Sequence, residues 1–251
     1  MDTKTTNAGG LAGSPFSRGY WKLAAAELKS TRSLAFASMI IVLRVAVKAF
    51  RIPLAAGLSI TFDSYINSLG SLIYGPLMGL CVGAVSDTLG CILYPSSEPY
   101  FFPFIFVEML SSFIFGLFFW KRQISVLKVL TAKFSVNLVC NIILTSLFTK
   151  WSYIFYGSPN AKTYYVINLV RIVKNLVLFP AESVLIVMVL GAFIPPLKSM
   201  KMIPAAQGDV VFEKKHILIV IATAVLSVGL ILFYIFYLRD YVSAHNVKLL
   251  V

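Results

Sequence analysis

Gly75-Pro76-Leu77-Met78-Gly79-Leu80-Cys81-Val82-Gly83-Ala84-Val85-Ser86-Asp87-Thr88-Leu89-Gly90 is a stretch of small and polar residues inside a strongly apolar chain. Its spacing is helical. Gly75, Gly79 and Gly83 recur every fourth residue, so they share one face, flat enough for a second helix to approach closely. Asp87 extends the row by one more turn, and a carboxylate at that depth needs a partner or water. Pro76 has no backbone donor and fits a helix's first turn, so Gly75-Pro76 ends one helix and begins the next, giving a tight hairpin. Close packing beside a buried charge points to a transport or binding cavity.

Outward from the hairpin the chain is built for a bilayer. Hydrophobic residues make up 59% and charged residues 13%, with a mean hydropathy of +0.85, whereas soluble domains carry about 25% charged residues. The implied class is an all-α, polytopic bundle of transmembrane helices. Seven spans are predicted, near residues 33–50, 60–74, 77–94, 103–120, 134–150, 164–191 and 217–238. The clearest, Ile217 to Leu238, has no charge and is long enough for the roughly 20 residues that a crossing requires. The expected organisation is a tail and interfacial segment over 1–32, a six-helix core over 33–197, a linker over 198–216 and an added C-terminal helix and tail over 217–251. Residues 1–17 lack the apolar core of a signal peptide and are expected to stay attached as a flexible tail.

Basic residues set the orientation. With the N-terminus inside, thirteen lie on the cytoplasmic side: Lys4, Arg18, Lys22, Lys29, Arg32, Lys121, Arg122, Lys128, Lys133, Lys198, Lys201, Lys214 and Lys215. Six, namely Lys48, Arg51, Lys150, Lys162, Arg239 and Lys248, lie at or beyond the outer ends. This bias predicts N-in and C-out, and with anionic lipid as a partner it accounts for the net charge of +12 without nucleic acid. Cys81, Cys91 and Cys140 fall in predicted spans without metal-ligand spacing and are expected to be buried thiols. His216 and His245 lie outside the bundle. Neither H-E-x-x-H nor G-x-x-x-x-G-K-[ST] occurs, so an intramembrane metalloprotease is not expected, ATP hydrolysis by a P-loop mechanism is excluded, and any nucleotide drive must come from a partner.

The hairpin, the aromatic run Pro99-Tyr100-Phe101-Phe102-Pro103, the Asn141-x-x-x-Thr145 step and Arg171-Ile172-Val173-Lys174-Asn175-Leu176 followed by Pro180 and Glu182 resemble, in combination, the substrate-binding S components of energy-coupling factor transporters, folate-type branch. The resemblance runs from about Leu34 to Leu190. Two positions depart from the family pattern. Phe104-Ile105-Phe106-Val107-Glu108 stands where a Gly-Phe-Thr run is usual, and Asp63 stands where a glycine is usual. The resemblance implies a non-enzymatic subunit of a bacterial cell membrane, with no cofactor. It would capture folate or a related anionic vitamin from outside and depend on a transmembrane coupling subunit and two cytoplasmic ATPase subunits, and it would topple in the membrane to release substrate inward. An S component for another vitamin, such as riboflavin or thiamin, and a stand-alone carrier remain the alternatives.

The residues themselves converge on one place. At 1.5 Å per residue Arg44 and Arg171 lie at matching depths, roughly 9–10 Å below the outer ends of their helices. Lys48, Asp63, Asp87, Glu108 and Lys174 fall in the same outer half, and buried charges are costly enough to be gathered in one wet cavity. Arg171, Lys174, Asn175 and Glu182 share a helix face. An arginine fork suits a ligand carboxylate and lysine adds a mobile cation; alternatively both pair with Asp87, Glu108 or Glu182 and only hold the bundle. Glu182 reads as a structural partner. Asn137 and Asn141, four apart, could read the edge of a heterocycle or bond between helices. Tyr100 and Phe101 either cap a planar ligand or belong to the interfacial aromatic belt, and the resemblance supplies a second cap at about Arg51 to Ile60. Pro180 is expected to kink its helix or admit a water. Ser33 and Ala37 form a small-x-x-x-small step that the resemblance assigns to docking of the coupling subunit, and Arg18 to Lys29 reads as an interfacial amphipathic helix.

Overall fold

The computed structural model describes residues 6–7, 11–55, 58–94, 100–159, 169–207 and 214–233. The helices are α1 (Arg18–Glu27), α2 (Thr31–Lys48), α3 (Asp63–Leu93), α4 (Ile105–Phe119, led by a 3-10 turn over Phe102–Phe104), α5 (Val126–Val136), a π-helical segment (Asn137–Leu144), α6 (Thr145–Phe155), α7 (Leu169–Ser199) and α8 (Lys214–Phe233). Ser17, Ser30 and Ser125 start α1, α2 and α5 by accepting a hydrogen bond from the backbone N–H three residues on, the usual way to satisfy a first-turn donor. The segment expected to cap the cavity from 51 to 60 contains an antiparallel pair of strands, Arg51–Ala55 with Leu58–Thr61.

Helix α3 turns back on itself. Gly75 has φ +81° and ψ −177°, a conformation that suits glycine alone. Asp63 contacts Arg44, and Asp87 contacts Lys48 one turn further along α2. A straight helix would hold those two carboxylates about 36 Å apart. The arms 63–74 and 76–93 are therefore antiparallel, as the Gly75-Pro76 pair predicts. Indole packing fixes the turn: a β-carbon at Gly75 would come within 2.8 Å of the Trp120 ring.

The glycine row does what its spacing predicts. A β-carbon at Gly79 would meet the Ser112 carbonyl at 3.1 Å, and one at Gly83 the Glu108 carbonyl at 2.7 Å, so both face the backbone of α4. Gly116 answers from α4, where a β-carbon would lie 2.6 Å from Pro76 Cα. Around this close pair, Leu69, Leu72, Phe115, Phe119, Val129, Ile186, Val187 and Leu190 form the main apolar core between α3, α4, α5 and α7.

Among the described residues four helical stretches are long and apolar enough to cross a membrane, with α3 counted whole across its turn, or five if the bent α1–α2 pair is one span. Seven were expected, at different boundaries. The two arms of α3 are each shorter than the roughly 20 residues of a full crossing, α5 to α6 runs over Val126–Phe155 rather than 134–150, and α7 continues to Ser199 through Pro180. The end of the last expected span, with Arg239, His245 and Lys248, lies outside the described residues. Of the cysteines only Cys140 is buried; Cys81 is exposed on the outward side of the glycine-bearing arm, because that arm packs inward through its glycines and leaves its other face to the surroundings.

Candidate functional site

The charged residues expected in the outer half pair in two groups, Arg44 with Asp63 and Glu108, and Lys48 with Asp87. Arg44 is completely buried. Its Nε and Nη2 donate to the two carboxylate oxygens of Asp63 at 2.9 and 2.8 Å, Nη2 also donates to Glu108 Oε2 at 2.6 Å, and Nη1 donates to Ser112 Oγ at 3.2 Å. This is the bidentate fork that arginine offers, here closed on protein groups rather than left open. Asp63 and Glu108, the latter the last residue of the run Phe104–Glu108, thus meet on one guanidinium. Chain spacing alone gives no sign of that, since they lie on different helices.

Lys48 Nζ donates to Asp87 Oδ1 at 3.1 Å and to the Ser86 carbonyl at 3.4 Å, while Asp87 Oδ2 is buried without a hydrogen-bond partner. Tyr100, 41% exposed, lies beside this carboxylate; burial first and the Asp87 charge second push its phenol up to about 12, so it stays a neutral donor. Phe101 is buried, edge-on to Phe104, Trp151 and Tyr156 and tilted against Phe155. Tyr156 Oη donates to the Tyr100 carbonyl at 2.7 Å. The aromatic run is therefore pinned to the end of α6 by Phe101 and presents Tyr100 outward. Pro99 lies outside the described residues.

Lys133 was counted among the cytoplasmic cations, yet it is 1% exposed and pairs with Glu182 at 2.9 Å, with Ser64 Oγ at 3.4 Å. Its helix starts at Val126, earlier than its predicted span, so the lysine sits two turns inside. Glu182 is a structural partner, as its depth predicts.

With Lys133 removed the inside count falls to twelve against six, and the bias keeps its sign.

The five described carboxylates, Glu27, Asp63, Asp87, Glu108 and Glu182, are thus bound to Lys121, Arg44, Lys48, Arg44 and Lys133. Arg171 Nη2 donates to Thr149 Oγ1 at 3.5 Å, and Asn175 Nδ2 to the Arg171 carbonyl at 2.9 Å. Lys174 is half-buried one turn along α7 from Arg171. Across from α7, Asn141 Nδ2 donates to Asn137 Oδ1 at 3.0 Å, and Asn137 Nδ2 is buried without an acceptor. Both amides sit on the π-helical segment, where Thr145 Oγ1 reaches back five residues to the Cys140 carbonyl at 2.8 Å. Such widened turns are frequent at functional sites. No periodicity in the sequence announces the π-helix, because its side-chain pattern differs from an α-helix only over one or two turns.

Ser33 and Ala37 both face the interior of this chain. Ser33 is buried with its hydroxyl on the Glu27 carboxylate, and Ala37 packs with Ile40, Tyr74, Met78 and Val82. Small side chains here let α3 approach α2 closely.

A family model described as "ECF transporter, substrate-specific component" matches residues 32–190. A folate transporter, FolT, of Clostridium novyi (strain NT) is 29% identical over 119 residues, 47% of this chain and 64% of that protein. The FolT of Leuconostoc mesenteroides subsp. mesenteroides is 30% identical over 128 residues, 50% of this chain and 66% of that protein. The chain thus spans just under two thirds of each relative. A crystal structure of FolT bound with folic acid is similar at a TM-score of 0.51 and 29% identity, covering 62% of this chain and 90% of that one.

Proposed function

The chain belongs to the family of ECF transporter substrate-specific components, and on that premise we propose that it captures folate or a closely related anionic vitamin at the outer face of a bacterial cell membrane. It is a multi-pass membrane protein and a binding component rather than an enzyme. The observation that carries the reading is the pair Arg171 and Lys174, two cations one turn apart on α7 and both half-buried. Two like charges held together in a half-buried site are stabilised by an anion lying between them. The similarity to FolT bound with folic acid supports the choice of anion.

In this reading Arg171 and Lys174 hold ligand carboxylates, Asn137, Asn141 and Asn175 offer amides to the heterocycle, and Tyr100 covers it. Arg44, Asp63 and Asp87 shape the wall from behind. The N-terminus lies in the cytoplasm, and a transmembrane coupling subunit with two ATPases supplies the energy. The residues 33–197 form the binding core.

Tryptophan-fluorescence titration of purified protein against folate, riboflavin and thiamin tests the ligand. Tight binding of folate with no response to the other two is the expected result. Retention of riboflavin or thiamin in its place would overturn the assignment. Uptake into vesicles only when ATPases and a coupling subunit are co-reconstituted tests the energy source.

A further inference from the structure

Helices α1 and α2 meet at 72°, so with α2 crossing the bilayer α1 runs much closer to the membrane plane. Tyr20 and Ala24 fasten α1 to the bundle: both are buried, and Tyr20 packs edge-on to Trp120 at 5.2 Å. The neighbouring face of α1 does not close onto α4. It leaves a groove of about 580 Å³ lined by Phe16, Trp21, Phe113, Leu117, Phe118 and Arg122, among others, within the range of about 300–1,000 Å³ typical of small-molecule sites. Trp21 stacks on Phe113 at 6.0 Å and 15°, forming one wall, and Phe16 is 98% exposed at its edge.

The groove has a polar end. Arg122 donates from Nη1 to the Leu117 carbonyl at 3.4 Å, while Glu27, at the C-terminal end of α1, is held by Lys121. Arg18 and Lys22, both exposed, stand one turn apart on α1 beside Trp21. An apolar, aromatic-walled trough with Arg122 in its lining, and Arg18 and Lys22 exposed on the same short helix as Trp21, is complementary to a molecule with an acyl chain and an anionic head.

We propose that this groove is a binding site for one anionic phospholipid of the leaflet that α1 lies in, its acyl chain against Trp21 and Phe113 and its phosphate at Arg122. The site is separate from the outer-half charge cluster. Its occupant holds the α1–α4 corner together at the bundle end where Trp120 locks the α3 turn.

Brominated lipids quench tryptophan on contact and so report the occupant directly. The full chain is placed in phosphatidylcholine nanodiscs with increasing fractions of brominated phosphatidylglycerol or, separately, brominated phosphatidylcholine, and Trp21 emission is taken as the difference between wild type and Trp21→Phe. Half-quenching is expected at a bromolipid fraction about fivefold lower for the anionic lipid, with the preference lost in Arg122→Gln. Unbrominated phosphatidylglycerol should also restore wild-type emission in the brominated phosphatidylcholine discs, a measurement that needs no variant. Equal quenching by both lipids in wild type would mean a bulk-lipid surface. Absence of quenching would mean that protein fills the groove. Either result, or a preference that survives Arg122→Gln, overturns the proposal.

Discussion

Lys133 on α5 and Glu182 on α7 meet at 2.9 Å inside the bundle, the lysine almost wholly buried. The pair ties the helix that carries Arg171 and Lys174 to the helix that leads into the π-helical amides, so it fixes the spacing of two proposed binding walls. Its value lies in being complete. Removing one partner leaves a buried charge uncompensated, at about 3–5 kcal/mol, whereas replacing both with apolar residues is often close to neutral.

Lys133→Met and Glu182→Gln are therefore each expected to lower the unfolding temperature in detergent strongly, and Lys133→Met/Glu182→Leu to recover most of the loss. Additive losses in the double variant would show that the two side chains act separately.

The hairpin was legible because its causes are local: glycine at φ +81° and a proline after it need no distant partner to be understood. The glycine row was legible for the same reason, since a fourfold repeat states which face is flat. Pairings were not. Arg44 could equally have faced a ligand or Asp63, and only the three-dimensional arrangement of α2, α3 and α4 brings Asp63 and Glu108 to one guanidinium. Ser33 and Ala37 show the same ambiguity, because a small-residue step reads identically whether the approaching helix belongs to this chain or to a partner. The lysine at 133 was misplaced by a helix boundary, which is set by the Ser125 cap rather than by hydrophobic periodicity.

Arg171→Ala is expected to weaken binding of an anionic vitamin by roughly 10- to 150-fold, the loss of one charge-assisted contact. Arg171→Lys should recover only part, since lysine lacks the two-pronged geometry. Lys174→Ala should weaken binding less than Arg171→Ala, its single ammonium being replaceable by water. Fluorescence titration reads all three. A folded Arg171→Ala protein with wild-type affinity would return Arg171 to a purely structural role.

Among the glycines facing α4, Gly83→Ala should be costlier than Gly79→Ala. The added carbon meets backbone at 2.7 Å in the first case and 3.1 Å in the second, and backbone cannot step aside as a side chain can. Overpacking of this kind costs about 1–3 kcal/mol. Melting temperatures in one detergent give the order, and a Gly79→Ala protein less stable than Gly83→Ala would contradict the packing described.

Phe101→Ala should speed vitamin release more than it slows capture, because it frees the anchor that holds Tyr100 in place at the proposed binding site, and lids act mainly on the bound state. Tyr100→Phe should be milder. The raised phenol remains neutral below pH 10 and ionises only as pH approaches about 12, so no change in release between pH 7 and 9 should trace to it. Stopped-flow fluorescence at both pH values measures the rates; unaltered release in Phe101→Ala would place these aromatics in the interfacial belt.

Ser33→Trp and Ala37→Trp are expected to damage the bundle itself. Ala37 is 2% exposed among Ile40, Tyr74, Met78 and Val82, and Ser33 is held by Glu27, so an indole at either position must push α2 away from α3. That movement pulls Arg44 off Asp63 and Lys48 off Asp87, which breaks the wall behind the proposed binding site. Ala35→Trp and Met39→Trp, on the exposed face of the same helix, disturb neither contact. The expected pattern is loss of both vitamin binding and thermal stability in the first two variants and retention of both in the second two. If association with a coupling subunit is then lost in Ala35→Trp or Met39→Trp while binding stays intact, the docking face of α2 is the outward one. Wild-type stability in Ser33→Trp and Ala37→Trp would instead show that this face of α2 is open in the membrane.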